Sequence, residues 1–137
     1  MGTANADNTG VVTKKSAHSA KVTIDRLEKI LSEKGITVAM RWSHSDRAKG
    51  VDIELRPTEL IIFGNPRLGS HMFTSKQSAG IDLPMKALAW EDENGQTWLS
   101  YNDPAYIAKR HGINDRSEIV KKMTGALQNL TDQATSP

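Results

Sequence analysis

Cysteine is absent from this 137-residue chain. Its absence excludes disulfides, thiolate nucleophiles and cysteine-ligated metals, while it leaves the cellular compartment open. No apolar run approaches the roughly 20 residues of a membrane-spanning helix, so no membrane partner is expected. The formal net charge is only +2, and the lysines and arginines are dispersed. The charge therefore gives no reason to expect a nucleic-acid partner.

Common catalytic and metal-binding spacings are also missing. The chain has no G-x-S-x-G, Walker-type or G-x-G-x-x-G motif. Its four histidines lie far apart, without H-x-x-H or H-E-x-x-H spacing, at positions 18, 44, 71 and 111. We therefore predict no metal and no cofactor. Whether the chain is an enzyme stays open, and the sequence leans towards a non-catalytic role.

A single folded domain fits what the sequence does contain. Hydrophobic residues make up 37% and charged residues 25%, a globular composition at a length suited to one domain. We predict a flexible leader over residues 1–8, a domain over 9–131 and a frayed tail over 132–137. Ala4-Asn5-Ala6 resembles the end of a signal peptide but follows no apolar segment. An exported, periplasmic location and a cytoplasmic one are thus both open.

Hydrophobic periodicity predicts a mixture of helices and strands. Apolar residues at 20, 24, 27 and 31 predict a helix capped by Ser19 and ended by Gly35. Residues 36–43 alternate, which predicts a half-buried strand with Ile36, Val38, Met40 and Trp42 on one face. Further segments favour an extended piece over 51–56, a helix over 71–79, a hairpin turning at Asn94-Gly95 and a last amphipathic helix. We expect an α+β fold in β-α-β-sheet-α order, with helices on one side of a mainly antiparallel sheet.

The stretch 59–70, ELIIFGNPRLGS, is the most informative part of the chain. Residues 60–63 form an unbroken apolar run, which predicts a strand buried on both faces. Gly64, Asn65 and Pro66 then end the strand, and Gly69-Ser70 is expected to open a helix. An abrupt strand end before a helix start is a common place for a binding site.

Several short motifs together resemble a known prokaryotic family, domain of unknown function 302. They are Arg26-Leu27 before Gly35, His44, Glu54-Leu55-Arg56-Pro57-Thr58-Glu59, Phe63-Gly64-Asn65-Pro66, Gly69, Asp82-Leu83-Pro84 and Tyr101-Asn102-Asp103-Pro104. The resemblance covers residues ~10 to ~130, and its Leu-Arg-Pro-Thr and Phe-Gly-Asn-Pro motifs are specific. It implies a bacterial α+β domain similar to the TATA-binding-protein-like architecture, homodimeric, without an assigned activity. His71-Met72 departs from the Pro-Leu-Met type of stretch usual in the family.

A polar or anionic ligand is the first functional hypothesis. Backbone N–H groups at a helix start carry partial positive charge, so residues 64–70 could bind an anion with help from Arg67. The alternative is that Gly64, Asn65 and Pro66 only make a tight turn capped by Asn65.

A second hypothesis places a site where several strands end. Polar residues follow or close the predicted strands and would form a pocket if those ends meet at one edge. In that arrangement His44 would be the natural acid or base. The alternative is a structural network that satisfies loop backbone. The candidate ligand-binding residues are His44, Arg56, Phe63, Gly64, Asn65, Pro66, Arg67, Gly69, Ser70, Tyr101 and Asn102.

Self-association is the third hypothesis. Trp42, Trp90 and Trp98 lie on predicted strands, and an exposed aromatic sheet face would suit a symmetric dimer. They could instead form the core. The sequence thus favours a small ligand-binding or sensing module, with an enzyme using His44 and a structural homodimer as the alternatives.

Overall fold

Five strands and five α-helices make up the part of the chain that the computed structural model describes, residues 6–137. In chain order they are β1 (Val11–Ser16), α1 (Ala20–Glu33), β2 (Thr37–Ser43), α2 (His44–Lys49), β3 (Thr58–Gly64), α3 (Pro66–Ser75), a 3-10 helix (Gln77–Ile81), β4 (Met85–Glu91), β5 (Thr97–Asn102), α4 (Pro104–Arg110) and α5 (Ser117–Thr135). The strands form one sheet in the order β1-β5-β4-β3-β2, and every neighbouring pair is antiparallel. The predicted α+β class and antiparallel sheet are confirmed.

The helices cover only one face of this sheet. Alternate side chains on the central strands, such as Ile61, Ala89 and Leu99, are fully buried beneath them. Helix α1 packs against β2 to β5 and against α5. The residues between, such as Leu60 and Leu88, face the opposite side and are only half-buried. β3 is therefore not buried on both faces, as its apolar run had suggested, because the helices lie on one side of the sheet.

Local signals in the sequence set several boundaries as expected. The Ser19 hydroxyl accepts a hydrogen bond from the Val22 N–H at 3.2 Å and starts α1. Gly35 follows α1 with φ of +70°, a conformation that glycine adopts without a Cβ clash. Asn94-Gly95 turns the β4–β5 hairpin, with Gly95 at φ of +81°.

A β-bulge in β2 overturns the predicted faces of that strand. Val38 pairs with Phe63 and Met40 with Ile62, so Ala39 is an extra residue between them. The bulge reverses the alternation, and Met40 and Trp42 lie on the open face rather than beside Val38. A period of two holds only while the ladder is unbroken, which is why the sequence pattern failed here.

Two further boundaries differ from the predictions. Helix α3 begins at Pro66, five residues before the predicted segment 71–79, because Asn65 is its N-cap and Pro66 takes the first helical position. The predicted extended piece 51–56 forms no strand, and Val51 and Ile53 stay 67% and 59% exposed. Its alternating pattern therefore does not reflect pairing in a sheet.

Both ends of the described chain make contacts that were not expected. Residues 1–5 of the predicted leader lie outside the described residues, while Ala6 forms a bridge with Val12. The predicted frayed tail is wrong, because α5 continues to Thr135. The Thr135 carbonyl accepts from the Ala17 N–H at 2.9 Å, and Arg26 Nε donates to the Ala134 carbonyl at 3.0 Å.

Candidate functional site

A cavity of about 330 Å³ lies beside the end of β3, between α3, α5 and the edge strand β2. Most of its wall is apolar. The buried part of the wall is contributed by Phe63, Leu83, Met85, Met123, Leu127 and Leu130. Three polar side chains also line it, those of Thr37, Asn65 and Ser70. This volume and composition fall within the range of small-molecule sites.

The turn from β3 into α3 shapes this cavity. A Cβ at Gly64 would lie 3.2 Å from Pro84 Cβ, so only glycine lets the strand end approach Pro84 without displacement. The Asn65 side chain then caps α3, and Pro66 fixes the first helical residue. Leu68 and Phe73 on α3 consequently face the cavity.

The N–H groups of Arg67, Leu68 and Gly69 at the start of α3 are already used within the chain. Pro66 lacks an N–H, and the Arg67 N–H donates to Asn65 Oδ1 at 3.0 Å. The Leu68 and Gly69 N–H groups both donate to the Asn65 carbonyl, at 3.0 and 2.9 Å. The geometry thus matches the alternative of a capped turn.

The strand-end cluster does not converge. In an antiparallel sheet, successive strands finish at opposite ends of the ladder. His44 and Arg56 therefore lie beyond the Thr58 end of β3, whereas Asn65 lies beyond its Gly64 end. At ~3.3 Å per residue, the seven residues of β3 separate these ends by about 20 Å. Tyr101 and Asn102 share the Asn65 side of the sheet, because Ala87 pairs with Tyr101. The sequence could not supply this result, since it depends on strand direction.

Each separated residue has a local environment of its own. His44 is exposed in the first turn of α2 and has no side-chain hydrogen bond within residues 6–137. Arg56 donates to the Glu91 carbonyl at 3.1 Å. Tyr101 is buried, and burial raises the pKa of its phenol, partly offset by a hydrogen bond with Thr131. The described geometry gives His44 no orienting partner of the kind a general base uses.

A second, wider depression of about 1250 Å³ occupies the Arg56 end of the sheet. Its lining includes Lys21 and Lys49 as well as Glu59 and Glu91, so charges of both signs are mixed. It contains Arg56 but not His44. The sequence-predicted residues that do share one cavity are the six at Phe63–Pro66, Gly69 and Ser70.

Sequence reasoning missed the contribution of α5 to the cavity. Met123, Ala126 and Leu127 follow a helical spacing that indicates only a buried face, and no feature of the sequence distinguishes a core face from a cavity wall. Leu83 and Pro84 belong to a family motif, but nothing in that motif indicates where they point.

A partly buried polar network around Asp82 was also missed. The Asp82 carboxylate accepts from Arg110 at 2.8 and 3.0 Å and from His111 Nε2 at 2.6 Å. His111 Nδ1 lies 3.4 Å from Ser78 Oγ. The contacts from Ser78 to His111 to Asp82 resemble those of a hydrolytic triad. However, Ser78 does not line the cavity, and the distance from Ser78 Oγ to His111 Nδ1 is long for proton transfer. We therefore assign the network to holding α4 against the 3-10 helix.

The open face of the sheet carries the three tryptophans. Trp90 and Trp98 stack on neighbouring strands with ring centroids 6.3 Å apart. Their indole nitrogens donate to Ser100 Oγ at 2.9 Å and to Asp92 Oδ2 at 2.8 Å. Those bonds satisfy the indole N–H groups, and Leu60, Ile62, Leu88 and Trp42 lie on the same face. The Lys15 ammonium lies 5.8 Å from the Trp98 ring centroid, and the Arg47 guanidinium lies 4.0 Å from that of Trp42.

Residues 6–137 lack both a metal-ligand cluster and a membrane-spanning helix. Between residues 6 and 137, no group of three or more His, Asp or Glu side chains is placed to hold a metal ion. In that part of the chain no helix combines the length and hydropathy needed to cross a bilayer.

Comparisons with known proteins identify the domain. The family model described as "Domain of unknown function DUF302" matches residues 12–130. The crystal structure of an uncharacterized conserved DUF302 protein from Bacillus stearothermophilus superposes with a TM-score of 0.81 at 20% identity, covering 91% of this chain and 98% of that one. At that identity the likeness concerns the fold alone.

Relatives of higher identity are larger proteins. The chain is 41% identical over 128 residues to the "Fluoride-specific ion channel FluC 1" of Brucella suis, and equally to that of Brucella abortus. The match covers 93% of this chain but only 50% and 47% of those proteins. The chain thus spans about half the length of the curated relatives it matches.

Proposed function

The chain belongs to the DUF302 family, and from the geometry of its cavity we propose that it binds a small, largely apolar molecule. The cavity beside Phe63, of about 330 Å³, is the observation that carries this proposal. Its wall is a large, preformed apolar surface with three polar groups, the usual composition of a small-molecule site. The function is that of a binding or sensing module, since no catalytic group with an orienting partner lines the cavity within residues 6–137.

Ligand-dependent thermal stability tests this proposal. Butylbenzene serves as a probe because apolar cavities bind such hydrocarbons. At a hundred times its Kd, a ligand specific to the folded state adds about 2.7 kcal/mol to stability. Ala126→Phe places a ring at the cavity wall and is expected to abolish the shift in Tm.

The matched control is Lys121→Phe, an exposed position on the same helix. It adds the same ring outside the cavity, so it should leave the response to butylbenzene unchanged. An equal response from Ala126→Phe and the wild-type protein would place the ligand elsewhere and contradict the proposal.

Homodimerisation through the open face of the sheet is a second proposal. Three tryptophan rings lie on this face with Leu60, Ile62 and Leu88. Lys15 and Arg47 place cationic groups over the Trp98 and Trp42 rings at its two borders. A second copy offers a matching apolar face, as a symmetric interface requires. Light scattering after gel filtration is expected to give twice the chain mass for the wild-type protein. Leu88→Lys should give the monomer mass, because the charge would be buried in the interface.

Val22→Lys is the control for that experiment. Val22 is 42% exposed on α1, on the side of the sheet that carries the helices. This variant should remain dimeric. Dimers that survive Leu88→Lys would exclude the open face as the interface.

The Brucella relatives support a third proposal, that the chain acts beside a fluoride channel. The support is their printed name together with 41% identity over half their length. A fluoride-sensitive strain can express the part of such a relative that this chain does not match. Adding this chain as a separate protein is expected to increase fluoride resistance. Equal growth with and without it would contradict the proposal.

A further inference from the structure

The polar groups of the cavity wall have unused hydrogen-bonding capacity. Across residues 6–137, Asn65 Nδ2 takes part in none of the side-chain hydrogen bonds, and neither do the hydroxyls of Thr37 and Ser70, which are solvent-exposed residues. All three residues line the same cavity. Of the three, only the half-buried Asn65 amide offers a ligand in the cavity a donor that is partly withdrawn from solvent.

The orientation of the Asn65 amide follows from its capping role. Its Oδ1 accepts from the Arg67 N–H at 3.0 Å. An N–H can only donate, so the atom facing it is the oxygen and the remaining atom is the NH2 group. Asn65 is half-buried. Its free NH2 therefore offers donors only, and they require an acceptor on the ligand.

The absence of charged side chains from the described cavity wall favours a neutral hydrogen-bond acceptor on the ligand. No charged side chain lines the cavity in the part of the chain that is described. Moving a carboxylate into such a site would cost free energy without a cation to compensate for the lost hydration. A neutral carbonyl accepts the same hydrogen bonds at a much smaller desolvation cost.

Resting on the proposed function, we propose that the ligand is an amphipathic molecule with an apolar body and a neutral carbonyl head. In this arrangement the carbonyl accepts from Asn65 Nδ2. At roughly 30 Å³ per non-hydrogen atom, the share of one liquid water, 330 Å³ holds a molecule of about eleven such atoms.

The test compares two probes of this size by calorimetry. 4-Phenylbutan-2-one carries a carbonyl, and butylbenzene is the hydrocarbon of nearly the same shape. The measured quantity is the ratio of their Kd values, because the ratio cancels the apolar contribution that they share. 3-Phenylpropanoate is the charged comparison and should bind more weakly than the ketone.

Asn65→Asp is the matched variant. Aspartate keeps the oxygen that caps α3 and replaces the NH2 donors with a second acceptor, so the fold should be retained. The ratio of Kd values is expected to shift against the ketone by about tenfold, as the loss of one hydrogen bond allows. Asn65→Ser, which also keeps a capping oxygen, should shift the ratio in the same direction.

The possible outcomes distinguish the carbonyl contact with Asn65 from the apolar binding site itself. A selective loss of ketone binding in Asn65→Asp supports the carbonyl contact. Binding of both probes with an unchanged ratio would overturn the contact and leave the apolar site intact. Failure of both probes to bind the wild-type protein would overturn the site itself, and the carbonyl contact with it.

Discussion

Leu127→Ala is the substitution that most directly probes the cavity. Leu127 lines the cavity from α5 and is 3% exposed. Truncating a buried leucine to alanine costs about 2.7–5.0 kcal/mol, and the cost is highest where the surroundings cannot collapse. An adjoining void already exists here, so we expect a loss of about 4 kcal/mol in the free energy of unfolding.

That loss corresponds to a large change in Tm. With about 2.1 cal/mol/K of unfolding entropy per residue, 137 residues give about 0.29 kcal/mol/K. A loss of about 4 kcal/mol then lowers Tm by about 14 °C, measured by calorimetry or circular dichroism. Removing three non-hydrogen atoms also enlarges the cavity by about 90 Å³, at ~30 Å³ each.

The enlarged cavity should change which ligand binds best. Hexylbenzene has two more carbons than butylbenzene, and they need about 60 Å³ on the same scale. We expect Leu127→Ala to be stabilised more by hexylbenzene and the wild-type protein more by butylbenzene. The comparison variant is Leu31→Ala, which truncates a fully buried leucine on α1 outside the cavity wall.

Leu31→Ala should lose stability while keeping the wild-type preference for butylbenzene. The same preference in all three proteins would refute the reasoning, because it would show that the space beside Leu127 is not where the probes bind. A loss of stability alone in Leu127→Ala would not count as support, since any buried leucine gives one.

Three further predictions concern stability. Burial raises the pKa of the Tyr101 phenol in the folded state. The stability that the neutral phenol contributes to the folded protein is therefore fully present below the unfolded pKa of about 10, and it is lost as pH rises through the folded pKa. Alkaline unfolding followed by circular dichroism should therefore move to higher pH in Tyr101→Phe, and an unmoved transition would contradict this. Gly10→Ala should destabilise the fold, because its Cβ would clash with the Tyr106 ring and Gly10 has φ of +82°; adding Tyr106→Ala should recover only part of the loss, since the backbone strain remains. Asp82→Asn should lower the free energy of unfolding by about 1–3 kcal/mol in urea titrations, because it weakens the bond that His111 makes in a nearly buried position; unchanged stability would show that the network around Asp82 does not hold α4.

Much of the fold could be predicted from local signals. Ser19 and Gly35 determine the ends of α1 because capping depends on residues a few positions apart, and Asn94-Gly95 determines a hairpin for the same reason. The faces of β2 could not be predicted. The bulge at Ala39 depends on how β2 pairs with β3, and that pairing has no marker in the strand itself.

For the candidate site, the sequence predicted the position of one wall but not the chemistry of the cavity. The stretch from Phe63 to Ser70 does border the cavity, because a strand that ends at Gly64 before a capped helix leaves space beside it. Its chemistry was harder to predict, since the donors of α3 are consumed by Asn65 and the far wall comes from α5. The prediction that His44 and Asn65 share one pocket failed. Both residues follow a strand, but the sequence does not tell at which end of the sheet each strand finishes.

The bulge at Ala39 has a consequence for how copies of this protein meet at high concentration. β2 is an edge strand, with backbone groups free to pair with another chain. An extra residue in such a strand twists it and interrupts the regular spacing that an incoming strand would need. At the opposite edge, Ala6 bridges to Val12 of β1 and occupies part of that border. Growth of the sheet into open-ended aggregates is thereby disfavoured at both borders.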